Sequence, residues 1–111
     1  MSNRKYPAQT DPLTLKVFKV LGEPNRLCIL RWLGERSEPN SVREVAKCCD
    51  VDLSVVSRHL SLMKDAGILT AEKRGKEVYY SVNARVVAQT LRSIADYLEN
   101  CCQPKKGEPK K

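Results

Sequence analysis

The sequence predicts a mainly helical domain that carries a single β-hairpin. Three observations predict it. Apolar residues recur every three or four positions before residue 66 and again after residue 84. Between those regions, the stretch 68–82 turns around Gly75, and Val78, Tyr80 and Val82 alternate with Glu77, Tyr79 and Ser81. In the middle of the chain, Ser41-Val-Arg-Glu44 has the spelling of a capping box, in which a serine and a glutamate three positions on satisfy each other's backbone N–H groups.

The first helix follows Asp11-Pro12, with Leu13, Val17, Val20 and Leu21 at helical spacing and Gly22 as its stop. A second helix covers Asn25 to Leu33. Leu27, Leu30 and Leu33 are expected to face inward, Cys28, Ile29 and Trp32 to extend the apolar face, and Gly34 to end it. The capping box starts a short third helix that reaches about Cys49. Asp50-Val51-Asp52 makes a tight break, and Asp52 is placed to cap a fourth helix, Leu53 to Ala66, which Gly67 ends. Its expected inward stripe is Leu53, Val56, Leu60 and Met63; its expected outward face is Ser54, Val55, Ser57, Arg58, His59, Ser61 and Lys64. The hairpin pairs Ile68–Arg74 with Lys76–Val82 and has Lys73, Arg74 and Lys76 at its tip. Ala84–Asn100 forms the terminal helix, with Val87, Leu91, Ile94 and Leu98 on one face and Val86, Thr90 and Tyr97 beside it. This order is a winged helix-turn-helix: mainly α, with the hairpin as wing and an added terminal helix.

At 111 residues the chain is one domain, read as residues 11–102 between a disordered N-terminal segment, 1–10, and a disordered basic tail, 103–111. A hydrophobic content of 41% supports a core, but a monomer this small is marginally stable and gains from a dimer interface. No apolar run is long enough to span a membrane, and Met1–Thr10 has no apolar signal region, so a cytoplasmic location is expected. The formal charge is +7, but the two ends hold five of those seven charges. Overall basicity therefore says little, and the placement of charge says more. Between Arg58 and Lys76 there are five Lys and Arg residues against two acids.

A helix that reads DNA needs an apolar stripe to seat it and polar residues on its first turns to approach base edges. Residues 53–64 meet both demands. Ser54, Ser57, Arg58 and His59 can donate to bases or phosphates, and Val55 can touch a thymine methyl. A hairpin tip bearing Lys73, Arg74 and Lys76 suits phosphates or an adjacent minor groove. An enzyme is not expected, because the chain has one histidine, no phosphate-cradling glycine loop and no carboxylate or histidine cluster at catalytic spacing.

Leu21-Gly-Glu-Pro-Asn-Arg-Leu-Cys-Ile-Leu30 and Leu53-Ser-Val-Val-Ser-Arg-His-Leu-Ser-Leu-Met-Lys-Asp-Ala-Gly-Ile-Leu69 resemble the second helix and the recognition helix of the ArsR/SmtB metal-sensing repressors. The likeness runs from about residue 13 to 100, and Val-Ser-Arg-His-Leu is its most specific part. It implies a homodimer paired through the first and last helices, with both recognition helices in successive major grooves of double-stranded operator DNA. Ser54, Val55, Ser57, Arg58 and His59 match the DNA-facing positions. That family places its inducer sites differently from member to member. Where some members carry Cys-x-Cys-x-x-Cys at the start of the third helix, this chain has Ser41, Arg43 and Ala46. Where others bind zinc along the terminal helix, this chain offers only Asp96 and Glu99, too few ligands for zinc.

Five cysteines remain: Cys28, Cys48, Cys49, Cys101 and Cys102. The odd count and the two adjacent pairs argue against a disulfide framework, since adjacent Cα atoms lie about 3.8 Å apart, closer than an unstrained disulfide needs. Cys28 is expected in the core, and Cys49, at a position where the family usually has leucine, is expected to pack as well. Packing does not ask for Cys101 and Cys102, which follow the last apolar turn and precede Pro104. As thiolates they would be soft ligands, and a trivalent arsenic species is the expected inducer, with no other cofactor required. Inorganic arsenite prefers three sulfurs; an organoarsenical such as methylarsenite needs two, which favours it at this pair unless a partner chain, Cys48 or Cys49 supplies a third. Antimony, mercury, cadmium or a thiol redox switch are the alternatives.

Overall fold

The computed structural model describes residues 12–101; residues 1–11 and 102–111 and the side chain of Cys101 lie outside the described set, and so do both segments expected to be disordered. The elements are α1 (Pro12–Leu21), α2 (Pro24–Gly34), β1 (Asn40–Ser41), α3 (Val42–Val45) continued by a 3₁₀ turn (Ala46–Cys48), α4 (Leu53–Asp65), β2 (Leu69–Arg74), β3 (Glu77–Val82) and α5 (Ala84–Cys101). The expected order of helices and hairpin holds. What the sequence does not announce is β1. Its two residues pair antiparallel with β3, Asn40 opposite Tyr80 and Ser41 opposite Tyr79, giving a three-stranded sheet in the order β1-β3-β2. A two-residue strand has no period to read.

Local chemistry explains most boundaries. Pro24 occupies the first turn of α2, where a missing N–H costs nothing, and the Glu23 carboxylate accepts the Arg26 N–H at 3.2 Å as cap. The capping box forms in full: the Glu44 N–H donates to Ser41 Oγ at 3.4 Å and the Ser41 N–H donates to Glu44 Oε1 at 2.9 Å. Asp52 does stand at the start of α4, but its side chain makes no cap bond; only its carbonyl accepts, from the Val55 and Val56 N–H groups. At the other end of α4, Gly67 takes φ +83 and reverses the chain. The Ile68 N–H then reaches the Met63 carbonyl at 3.0 Å and the Gly67 N–H reaches that of Lys64 at 2.9 Å, while the Ile68 and Met63 side chains are both fully buried. This is a Schellman stop with its hydrophobic contact.

The core gathers Val17 and Val20 of α1, Ile29 and Leu33 of α2, Val45, then Val56, Leu60 and Met63 of α4, Ile68, Leu69, Tyr80 and Val87. Two inward stripes differ from expectation. On α2 the buried pair is Ile29 and Leu33, one helical turn apart, so Leu27, two residues or about 200° away from Ile29, faces out. Cys28, expected in the core, is exposed as well. On α4, Leu53 at the first position is exposed, and the seat begins at Val56. α1 and α5 each contribute to the core and still expose large apolar side chains: Leu13, Leu15 and Phe18 on the first, Leu91 and Leu98 on the last.

Candidate nucleic-acid interface and thiol groups

Burying Val56, Leu60 and Met63 fixes which way α4 turns. Ser54, Val55, Ser57 and Arg58 are thereby exposed on its opposite side, in its first two turns. The same face opens onto a groove of about 310 Å³ between α3, the start of α4 and the hairpin, with Arg43, Ser57 and Lys76 among its lining residues. Arg43 was not singled out from the sequence. Its signal was present: the capping box sets α3, Val45 points to the core, and Arg43 two residues earlier must point away.

The hairpin turns at Gly75, whose φ of +63 suits the first position of a two-residue turn. Its tip cations do not behave alike. Arg74 donates from Nε to Glu72 Oε2 at 3.1 Å and from Nη2 to Glu72 Oε1 at 3.4 Å, and its guanidinium lies over the Tyr79 ring. Glu72 accordingly raises the Arg74 pKa further above its ordinary value. Lys73 and Lys76 are exposed and form no ion pair among the described residues.

His59 requires a correction. Expected on the outward face, it is 7% exposed and turned toward α2. Arg26 Nε donates to His59 Nδ1 at 3.1 Å, and Arg26 Nη1 donates to the Val20 carbonyl at 3.0 Å. His59 Nε2 stands 3.8 Å from Glu23 Oε1. The histidine thus ties the recognition helix to α1 and α2.

The described cysteines converge from two elements. Exposed Cys28 on α2 donates from Sγ to the Cys48 carbonyl at 3.3 Å, and Cys48 Sγ lies 3.6 Å from Cys49 Sγ. Burial pushes the Cys48 thiol up to about 12, with the Cys49 and Cys28 thiols adding to it. Cys49 is raised too, first by burial and then by the charges of Cys28 and Glu23. Cys101 ends α5, but its side chain and all of Cys102 lie outside the described residues. Among the described residues, no three His, Cys, Asp or Glu side chains stand ready to hold a metal ion, and no helix is long and apolar enough to cross a membrane.

Comparison with known proteins agrees with this geometry. A family model described as a helix-turn-helix domain matches residues 21–72. The arsenical resistance operon repressor of Escherichia coli is 32% identical over 93 residues, covering 84% of this chain and 78% of that protein. A cadmium resistance transcriptional regulatory protein CadC homolog of Staphylococcus aureus is 36% identical over 89 residues, covering 79% and 73%. Among solved structures, a homodimeric winged helix-turn-helix domain from Mycobacterium bovis, a possible ArsR-family transcriptional regulator, superposes with a TM-score of 0.63 at 28% identity, covering 90% of this chain and 93% of its own. With its matched helix-turn-helix and relatives at this identity and coverage, the chain belongs to the ArsR family of winged helix-turn-helix transcriptional regulators, which bind DNA and are not enzymes.

Proposed function

We propose that this chain is a homodimeric repressor that holds operator DNA through α4 and the hairpin, and that releases it when a trivalent arsenic species, methylarsenite above all, binds the Cys101–Cys102 pair. The observation that carries the DNA half is the single exposed surface made by Ser54, Val55, Ser57 and Arg58 with Arg43 and Lys76 beside them. Serine and arginine read base edges, valine meets a thymine methyl, and Lys73 and Lys76 neutralise phosphates. The apolar residues left exposed on α1 and α5 supply the dimer face, and the M. bovis relative is itself homodimeric. To read successive major grooves, dimerisation through that face has to set the two α4 helices about 34 Å apart, one turn of the double helix.

The inducer half is supported by two adjacent soft donors at the end of the dimerising helix and by relatives named for arsenical and cadmium resistance. Release is linkage: the arsenical must bind the free dimer more tightly than the DNA complex by the factor by which it weakens DNA binding. A release of about 100-fold needs roughly 2.7 kcal/mol of differential binding.

The test is fluorescence anisotropy on a labelled duplex selected from a random-sequence pool. Tight, salt-sensitive binding that methylarsenite reverses is the expected result. Failure to select any duplex overturns the DNA half, and a complex that survives saturating methylarsenite overturns the inducer half.

A further inference from the structure

Three of the five cysteines take no part in the release proposed above, yet the fold brings them together. Cys48 closes the 3₁₀ turn and Cys49 leaves it in an extended conformation, φ −119 and ψ 146. Adjacent side chains diverge by about 100° in a uniform helix and by 180° in a strand; the change of conformation between the two residues lets both sulfurs converge to 3.6 Å. An atom bonded to two sulfurs at about 2.3 Å each spans an S···S distance of about 3.4–3.8 Å at pyramidal to tetrahedral angles. The dithiol therefore stands at chelating separation. Cys28 offers the third sulfur, which has to move to join the pair, because the three do not stand ready as a set. It reaches over from α2 to hydrogen-bond the Cys48 carbonyl, and a change of one staggered rotamer carries a cysteine sulfur by about 3 Å.

We propose that Cys28, Cys48 and Cys49 form a binding site for a trivalent metalloid hydroxide, arsenous acid being its representative. Three S–H bonds and three As–O bonds break, three As–S bonds form, and the three thiol protons leave with the three hydroxides as water. Arsenic stays trivalent, and no oxidant or reductant takes part. The product is uncharged. That suits a partly buried site facing the Glu23 carboxylate, where a divalent cation on three thiolates would place a net negative charge. Closing the sulfurs on one atom ties α2 to the segment that enters α4. The proposal shares thiol–arsenic chemistry with the function proposed above but does not depend on operator release.

The test uses the full reduced chain carrying C101S and C102S, titrated with sodium arsenite without DNA, and reads the thiols left reactive to a chromogenic disulfide together with the thiol–arsenic absorbance in the near ultraviolet. The site predicts one arsenic per chain and protection of all three remaining cysteines. Thiols that stay reactive at saturating arsenite overturn it. Adding Cys28→Ser, a change at an exposed position that leaves the fold intact, weakens arsenite binding by about tenfold or more and leaves a protected pair; an unchanged affinity removes Cys28 from the site. Adding C48S and C49S instead abolishes binding, and retained binding overturns the site. Because no DNA is present, a negative result leaves release through Cys101 and Cys102 standing, and a failure of operator binding leaves this site standing.

Discussion

Arg26 Nε donates a hydrogen bond to His59 Nδ1 at 3.1 Å, joining α2 to the recognition helix across 33 positions of sequence. An arginine can only donate, so Nδ1 is the acceptor, and Nε2 is the nitrogen that faces Glu23. The lone histidine of a DNA-binding helix is thus spent on seating that helix. His59→Ala leaves the Arg26 Nε donor without its acceptor and should cost about 1–3 kcal/mol of stability. In urea unfolding the midpoint falls while the m-value stays constant. At a temperature where the variant is folded, the salt dependence of its DNA binding should match the wild type; a shallower slope would show that His59 touches phosphate after all.

The tip of the hairpin should respond unevenly to truncation. Lys73 and Lys76 form no ion pair among the described residues, whereas Arg74 is held bidentately by Glu72. Each phosphate contact contributes about one to the slope of log K against log salt, and a dimer doubles it. Lys73→Ala or Lys76→Ala should therefore lower the slope by about two per dimer. Arg74→Ala should lower it by less, because the guanidinium is already paired with Glu72 and is the least free of the three to neutralise a phosphate. Equal slopes for all three variants would contradict this ranking.

Thiol reactivity offers a check on the half-buried pair. Raising the Cys48 pKa to about 12 leaves on the order of one thiolate in ten thousand at pH 8. Alkylation by iodoacetamide, mapped by peptide mass spectrometry, should mark exposed Cys28 early and Cys48 last, and the Cys48 rate should keep rising as the pH is taken from 8 to 10. A Cys48 rate that levels off below pH 9 contradicts the raised pKa. The same protonation makes Cys48 a poor peroxide sensor.

The capping box is the best-defined local contributor to stability. Ser41→Ala removes the acceptor for the Glu44 N–H and should destabilise by about 0.5–2 kcal/mol. Glu44 is held below its ordinary pKa, first by the Ser41 backbone N–H and then by Asn40. A depressed carboxylate contributes its stability above the unfolded-state pKa and loses it as pH falls through the folded one. The thermal penalty of Ser41→Ala should then shrink as the pH is lowered from 7 through the depressed folded-state pKa of Glu44, where protonation weakens the box. A penalty independent of pH would show that the glutamate adds nothing.

What the sequence discloses here follows the range of the interactions. Apolar periodicity, glycine stops, the capping box and the alternation around Gly75 are local, and they place the helices and the hairpin. The orientation of α2 is not local: Ile29 rather than Leu27 faces the core because α4 and β3 pack on that side. β1 exists only because β3 is there to pair with it. For the same reason the outward polar face of α4 is legible at Ser54, Val55, Ser57 and Arg58 but not at His59. Position on the helix leaves His59 near the boundary, and an arginine 33 residues away decides it. The convergence of Cys28 with Cys48 and Cys49 is tertiary too, and spacing of 20 residues gives no hint of it. Cys101 and Cys102 stand out in the sequence because no apolar pattern asks for them.

One measurement bears most directly on the central claim: operator affinity of the wild type and of C101S/C102S, each with and without methylarsenite, at one fixed salt concentration. The account predicts equal affinities without methylarsenite, a loss of about 100-fold for the wild type with it, and no loss for the double variant. Equal release of DNA from both proteins would contradict it.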